Sequence, residues 1–485
     1  MPEPMQRALA AMPPGALSPA LTSQRDPVAH VIGRLTYGVT PELYTHVQAI
    51  GTEAFIEEQL APESIADAAL AERLAPLTPI LESDAGSLIR EYGARRGTVI
   101  NALIGGAATR ALYSQRQLYE RAVEFWSDHF SVFIGKGPVL FLKVDEDREA
   151  IRPNSLGRFR DLLGASAHSP AMLFYLDNVQ SDRSAPNENY ARELLELHTL
   201  GVNGGYTEDD VKAVARCFTG WSVQRPEESS EGAITFLFRR FFHDRGEKTV
   251  LGTVIAAGGG ESDGEQVLDM LASHPSTARF VSQKWVRRFV SDDPPPGLVE
   301  ACAQTFQQTD GDVRALLRQI FTSDEFWNAP PKLKRPYEYI ISLLRAMNYD
   351  VRNQGSLFRA VSAPLQAMGH LPFTWPAPDG FPDVASAWSD TLLMRWNSAI
   401  AAAGGSLPGA IADTDALVEV LVQNGVALEL EPVLTFLPNY FYGRALTNDE
   451  LNIVLDFARA APGDDGEKIG AGIALLLAAP AFQYR

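Results

Sequence analysis

Hydrophobic residues recur every three or four positions along most of the chain after Val28, the periodicity of helices with one buried face. Thr207 and the acidic residues that follow it are also typical of the first residues of a helix. We therefore predict a mainly α-helical, multi-helix globular fold. The periodic segments are Pro41–Leu60, Asp67–Leu74, Gly97–Phe133, Asn189–Leu200, Glu208–Phe218, Gly264–Leu271, Ser276–Val290, Val313–Phe321, Pro336–Met347 and Thr447–Ala460.

One interval has the composition of strands instead of helices. Ile234–Phe238 is rich in β-forming residues, and Thr249–Leu251 follows after a polar turn. This pattern predicts a small β-hairpin insert around residues 234–252. Residues 1–27 are rich in Pro and Ala without periodicity and predict a flexible tail. We expect residues 28–400 to form a helical core, with residues 401–485 as a C-terminal helical segment packed on it.

Charge and cysteine content narrow the class of partner. The chain has 42 basic and 60 acidic residues, a net charge of −18, which argues against nucleic acid and leaves a small molecule or a protein as partner. Two cysteines cannot form a disulfide framework. Neither a membrane span nor a secretory signal is evident. The sequence as it stands predicts a cytoplasmic protein, or a periplasmic or secreted one if an export signal has been removed.

The most informative stretch contains the run NENYARELLELHTLG at Asn187–Gly201, followed by Tyr206–Val211 and Ala215–Trp221. These segments resemble the domain-of-unknown-function family 1800, a group of uncharacterised bacterial proteins. The resemblance spans about residues 28 to 400, and it implies no established activity. Further matching segments are His30–Gly38, Trp126–Phe130, Ala171–Asn178, His243–Gly252, Lys334–Pro336 and Trp388–Asn397.

Two histidines lie on the apolar faces of two predicted helices. His198 falls in the middle of one such face at 100° per residue, with Glu193 on the polar side. His129 lies at the edge of the apolar face of the other helix. The opposite face of that helix carries Glu120, Glu124 and Asp128 at four-residue spacing, a pattern typical of a solvent-exposed face. The histidines are either core residues bonded to carbonyls or a buried acid–base or metal site. The candidate catalytic residues are His129, His198 and Glu193.

The loop before the predicted helix that carries His198 is a candidate metal site. Residues 177–189 are rich in oxygen-bearing side chains, a donor set that Ca²⁺ or Mg²⁺ prefers, with Zn or Fe less suited. Those considered are Asp177, Asn178, Ser181, Asp182, Asn187, Glu188 and Asn189. Alternatively, these side chains satisfy backbone amides and cap the helix. The candidate ligands are Asp177, Asp182, Glu188 and His243, the last from the β insert.

Further residues are candidates for ligand contacts or internal ion pairs. These are Arg192, Arg216, Trp126 and Trp221, with Arg216 as the preferred partner of Glu193. The stiff segment Trp375–Pro382 either offers an aromatic platform to a ligand or packs its rings on the core.

Two functions fit these observations. The first is an enzyme, metal-dependent in one version, with its site where the 177–198 loop and helix meet the 124–130 helix and His243. The second is a non-catalytic binding or scaffold protein in which the run at Asn187–Gly201 is a structural keystone.

Overall fold

The computed structural model describes residues 17, 25–224, 228, 232–405, 407 and 409–485. Within them the chain is mainly helical with small two-stranded β-ribbons, which confirms the predicted fold class. Of the predicted tail, residues 1–16 and 18–24 lie outside the described residues. Leu17 is buried, and its amide donates to Glu450. No helix in these described ranges is both long and apolar enough to cross a bilayer.

The helices of the first half are α1 (Pro27–Leu35), α2 (Pro41–Ile50), α3 (Thr52–Leu60), α4 (Ala68–Leu74), α5 (Thr78–Leu81), α6 (Ala85–Tyr92), α7 (Arg96–Tyr113), α8 (Gln117–His129), α9 (Val139–Asp145), α10 (Arg152–Asn154), α11 (Phe159–His168), α12 (Pro170–Tyr175), α13 (Glu188–Glu193) and α14 (Glu208–Cys217). Those of the second half are α15 (Ser262–Ser273), α16 (Pro275–Phe289), α17 (Pro296–Gln308), α18 (Val313–Phe321), α19 (Asp324–Trp327), α20 (Pro336–Ala346), α21 (Gln354–Leu357), α22 (Ala363–Ala367), α23 (Leu392–Ala403), α24 (Thr414–Gln423), α25 (Leu430–Tyr442), α26 (Asn448–Ala460), α27 (Asp465–Ala478) and α28 (Pro480–Gln483). Wider π-turns lie at Glu146–Ile151, Leu194–Thr199 and Phe358–Ser362.

The six short strands pair antiparallel as β1 (Trp221–Val223) with β2 (Phe236–Phe238), β3 (Lys248–Val250) with β4 (Thr253–Ile255), and β5 (Tyr349–Val351) with β6 (Ala410–Ala412). The predicted β insert is present, but the segments 234–238 and 249–251 do not pair with each other. The reason is a reversal at Leu251 and Gly252, whose φ angles of 50° and 77° are those of a tight two-residue hairpin turn.

Local backbone features divide two of the predicted helical segments. Gly51, with φ of 84°, separates α2 from α3 because only glycine adopts this conformation readily. Ser114 takes an extended conformation and separates α7 from α8.

Aromatic packing joins α8 to α16 at the centre of the molecule. The rings of Phe125 and Trp285 stack with centroids 3.6 Å apart, and Trp126 packs edge-on against the same indole. The π-turn Leu194–Thr199 also packs on α16. These contacts bring the ends of three segments together and so determine where the candidate site lies.

Candidate active site

His129 and His198 lie close together in the core. Their ring centroids are 6.2 Å apart, and both side chains are almost fully buried. His129 ends α8, and its Nε2 lies 3.0 Å from the backbone carbonyl oxygen of His198 in the π-turn. A carbonyl only accepts, so Nε2 carries the proton and Nδ1 of the neutral ring is an acceptor. The structure thus brings together two of the candidate catalytic residues.

Lys284 of α16 donates to that acceptor, with its Nζ 2.9 Å from His129 Nδ1. Burial, and then the positive charges of Arg288 and Arg287, lower the pKa of Lys284 to about 8, although Asp128 and Asp379 oppose them. Burial and the charge of Lys284 also hold the pKa of His129 well below its usual range, and that of His198 at about 3. Both histidines are therefore neutral, and Lys284 is the group that titrates near physiological pH.

A cavity of about 300 Å³ opens beside this pair. We call it the Lys284 cavity. Its walls come from the end of α8, the end of α16 and the loop 375–384. The lining residues are Phe125, Asp128, His129, Lys284, Arg287, Arg288, Trp375, Asp379, Gly380, Phe381, Pro382, Asp383 and Val384.

The loop that covers the cavity is fixed in place at several points. The Tyr175 hydroxyl donates to the carbonyl of Pro376 at 2.8 Å, and the Trp375 indole donates to Asp379 at 2.8 Å. Gly380 lies directly on Asp128 with a φ of 73°, where any Cβ would collide with the Asp128 carbonyl. Trp375 is half-buried and faces the cavity, while Trp388 is buried in the core. Phe381 and Trp388 thus pack inward, as one of the two predictions has it, and an aromatic platform for a ligand at Trp375 stays a prediction.

Glu193 lies near this loop and not beside Arg216. Burial, together with Glu196 and Asp379, raises the pKa of Glu193, and burial together with Glu193 and Asp379 raises that of Tyr175 to about 12. Glu193 makes no ion pair with any described residue. The expected pairing with Arg216 is wrong, because Arg216 forms a bidentate pair with Asp244 at 2.8 and 3.0 Å.

Arg192 forms an ion pair at the surface, and the two candidate tryptophans are packed in the core. Arg192 forms a bidentate pair with Glu208 at 2.7 and 2.8 Å at the surface, so both candidate arginines are ion-paired. Trp126 is fully buried and donates to the carbonyl of Ser155. Trp221 is buried against Phe218, Phe236 and His168.

The loop 177–189 bonds largely to its own backbone and neighbouring carbonyls. Asp182 accepts from the amides of Ser184 and Ala185, and Asn187 caps α13 by accepting from the Tyr190 amide at 3.1 Å. Asn178 donates to the backbone carbonyls of Phe218 and Trp221. The prediction that an asparagine caps this helix is confirmed.

The four candidate metal ligands are not brought together. Asp177 pairs with Lys136 at 2.7 Å, and Glu188 is exposed in the first turn of α13. His243 lies in a different buried cluster, where its Nε2 is 3.1 Å from Asp263 and its Nδ1 lies near Thr219. Lys248 contacts the same carboxylate at 2.6 Å. His243 thus belongs to the β insert and not to the Lys284 cavity.

One group of described residues has metal-ligand spacing, namely Glu124, Asp128 and His370, whose ligand atoms lie within 4.8 Å of one another. Arg335 pairs with both carboxylates, and Arg288 lies 3.5 and 3.8 Å from them. Two guanidinium groups already neutralise this cluster, so it is a buried ion-pair network and a poor cation site.

This network corrects the interpretation of the polar stripe on α8. Glu120 is buried and paired with Arg152, and Glu124 and Asp128 point inward to Arg335. Sequence reasoning missed both this network and Lys284. The available signal was the run KWVRRF at residues 284–289, which places three cations in an apolar helix.

The comparisons agree with the resemblance stated above. A family model described as a protein of unknown function, DUF1800, matches residues 30–484, and so includes the C-terminal residues that the sequence motifs did not reach. No curated protein and no solved structure matches the chain.

Proposed function

The chain belongs to the DUF1800 family of proteins of unknown function, and from its own geometry we propose that it is an enzyme that uses Lys284 for acid–base catalysis on a small anionic substrate. The observation that carries this proposal is the contact of Lys284 with a neutral His129 at the edge of a cavity of about 300 Å³. A lysine that titrates near pH 8 can exchange protons at physiological pH, unlike an ordinary lysine.

His129 would act as a positioning residue. Its Nε2 proton is committed to the His198 carbonyl, so its Nδ1 remains an acceptor for one N–H of Lys284. That hydrogen bond fixes the direction of the amine and leaves its lone pair, or its transferable proton, free to face the cavity. Because both nitrogens of His129 are engaged, we assign no metal ion to it.

Two cations of the cavity that have no carboxylate partner in the described part of the chain support an anionic substrate. Within the described residues, neither Lys284 nor Arg287 forms an ion pair with a carboxylate, although both line the cavity. A carboxylate, phosphate or sulfate group could pair with the Arg287 guanidinium. Trp375 would supply an apolar wall for the rest of the molecule. Asp379 of the same loop lines the cavity and offers a carboxylate to an uncharged, hydroxyl-bearing portion of the substrate.

A screen of small carboxylates, phosphate esters and sulfate esters tests the proposal, with turnover followed by NMR. We expect Lys284→Met to lower turnover of an accepted substrate by about 10²-fold or more, the usual contribution of a general acid or base. Lys284→Arg keeps the charge but cannot titrate, and we expect it to be as inactive. Lys212→Met, at an exposed lysine, is the matched control.

A binding protein without catalysis is the second candidate. It is favoured by the way in which Asn187 of the family run and Asp182 of the preceding loop satisfy local backbone groups, as a structural keystone would. Tight binding in the screen with no turnover by the wild type would support this alternative and contradict the enzyme.

A further inference from the structure

A second cavity lies between the C-terminal residues and the first helix. Its volume is about 50 Å³, several times the roughly 10–15 Å³ that one water requires. It is bounded by α1, α20, α25 and residues 481–485, and it shares no lining residue with the Lys284 cavity. We call it the C-terminal cavity.

Positive charge exceeds negative charge around this cavity. Among its described lining residues, Glu338 is the one carboxylate, and it already accepts from Arg121 at 2.8 Å and lies 3.0 Å from Arg485. Lys334 also lines the cavity, and it forms no ion pair with any described residue. Its ammonium lies 3.8 Å from the centroid of the Phe482 ring. One acidic side chain therefore faces four basic ones, because Arg25 lines the cavity as well.

Several donors at this cavity have no acceptor. Nε and Nη1 of Arg485, Nε of Arg121 and the hydroxyls of Tyr440 and Tyr442 are buried without a hydrogen-bond partner in the described part of the chain. The side chains of Arg485 and Tyr440 are each only 1% exposed. Buried donors without partners are costly, and so many around one small space indicate a ligand rich in acceptors.

We propose that the C-terminal cavity binds a small tetrahedral oxyanion, of the inorganic phosphate or sulfate class. Such an ion offers several acceptor oxygens to the unpartnered donors and a negative partner to Lys334, which forms no ion pair with any described residue. The volume suits a few heavy atoms and excludes a nucleotide. Because the cavity joins α1 and α20 to α25 and the last residues, the anion would link the C-terminal segment to the rest of the fold.

The titration of Lys334 agrees with this site. Burial lowers the pKa of Lys334 to about 7, with Arg395 and Arg485 adding to the effect and Glu338 opposing it. A bound anion would supply the countercharge that keeps this lysine protonated.

Thermal unfolding of the full chain at constant ionic strength tests the proposal, with sodium phosphate, sodium sulfate, sodium acetate and sodium chloride as separate arms. We expect phosphate or sulfate to raise Tm by several degrees in a saturable way, and acetate and chloride to have little effect. Calorimetric titration with the effective anion should give one site per chain.

Two variants locate the effect. Tyr440→Phe with Tyr442→Phe removes two hydroxyls that have no protein partner, so Tm without the anion should change little while affinity for phosphate falls at least several-fold. Lys334→Met should abolish the phosphate effect, and Lys212→Met, at an exposed lysine that does not line the cavity, should retain it. Equal Tm in all four salts, or an undiminished phosphate effect in the double tyrosine variant, would overturn the proposal. If Lys334→Met does not fold, the double tyrosine variant and the titration still decide.

Discussion

The Nζ of Lys284 lies 2.9 Å from Nδ1 of His129, and His129 in turn bonds through Nε2 to the carbonyl of His198. These two hydrogen bonds connect α16, α8 and the π-turn Leu194–Thr199 to one another. His198 takes part only through its backbone carbonyl, and both imidazoles are too deeply buried to be protonated near neutral pH.

The pH dependence of stability should reveal Lys284. Its pKa is about 8 in the folded chain and about 10.4 in an unfolded one. Between these values the unfolded state binds more protons, so the free energy of unfolding of the wild type should rise with pH relative to Lys284→Met. Urea unfolding at pH 7, 8, 9 and 10 measures this difference. A difference that is constant over that range would contradict the lowered pKa.

Glu338→Gln should be strongly destabilising. The Glu338 carboxylate is 2% exposed and faces Arg121 and Arg485 at 2.8 and 3.0 Å. Removing one partner of a buried ion-pair network costs about 3–5 kcal/mol, because the remaining charges stay buried. Glu57→Gln breaks an exposed pair with Arg318 and should cost no more than about 1 kcal/mol. Chemical denaturation of both variants measures the loss of unfolding free energy. Similar losses in the two variants would contradict the claim that Glu338 holds a buried ion-pair network together.

Gly380→Ala should displace the loop over the Lys284 cavity. Gly380 and Gly369 have almost the same φ, 73° and 71°, so alanine meets the same backbone strain at both. Only at Gly380 would the new Cβ also collide with the Asp128 carbonyl. The emission spectrum of Trp375, taken by difference from a Trp375→Phe background, should change in Gly380→Ala and not in Gly369→Ala. An unchanged spectrum in both would show that the loop position does not depend on this contact.

Asn187→Ala should cost about 1 kcal/mol or somewhat more through loss of the cap of α13. Asn187 accepts from the Tyr190 amide and also donates to the carbonyl of Leu176. The neighbouring Asn189 is exposed and does not cap the helix, so Asn189→Ala is the matched control. Equal unfolding free energies for the two variants would contradict a stabilising role of Asn187 as the cap of α13.

The sequence predicted the helices well because their hydrophobic periodicity is local. Val313–Phe321 matches its predicted range, and Thr207 begins α14 with a capping box as expected. The pairing of the strands was not predictable in the same way, because the turn at Leu251 and Gly252 pairs β3 with β4 and leaves β2 to pair with the preceding strand, β1.

The site was predicted in part, because burial can be inferred from one segment but contacts cannot. The inward positions of His129 and His198 followed from the helical periodicity, whereas their third partner, Lys284, lies 155 residues from His129. The stripe of Glu120, Glu124 and Asp128 looked solvated because its arginine partners lie in other segments, Arg152 at 32 residues from Glu120 and Arg335 at 207 residues from Asp128. Long-range ion pairs of this kind leave no periodic signal in the chain.

The most direct measurement of the central claim is the pKa of Lys284 itself. Trace acetylation of the native protein from pH 6 to 11, quantified by mass spectrometry at each lysine, gives the titration of each amine, with the exposed Lys212 as internal reference. We expect Lys284 to become reactive with a midpoint near pH 8, and the midpoint to move when His129 is replaced by Phe. A midpoint near the ordinary value of about 10.4, or a Lys284 amine that stays unreactive at every pH, would contradict an acid–base lysine open to the cavity.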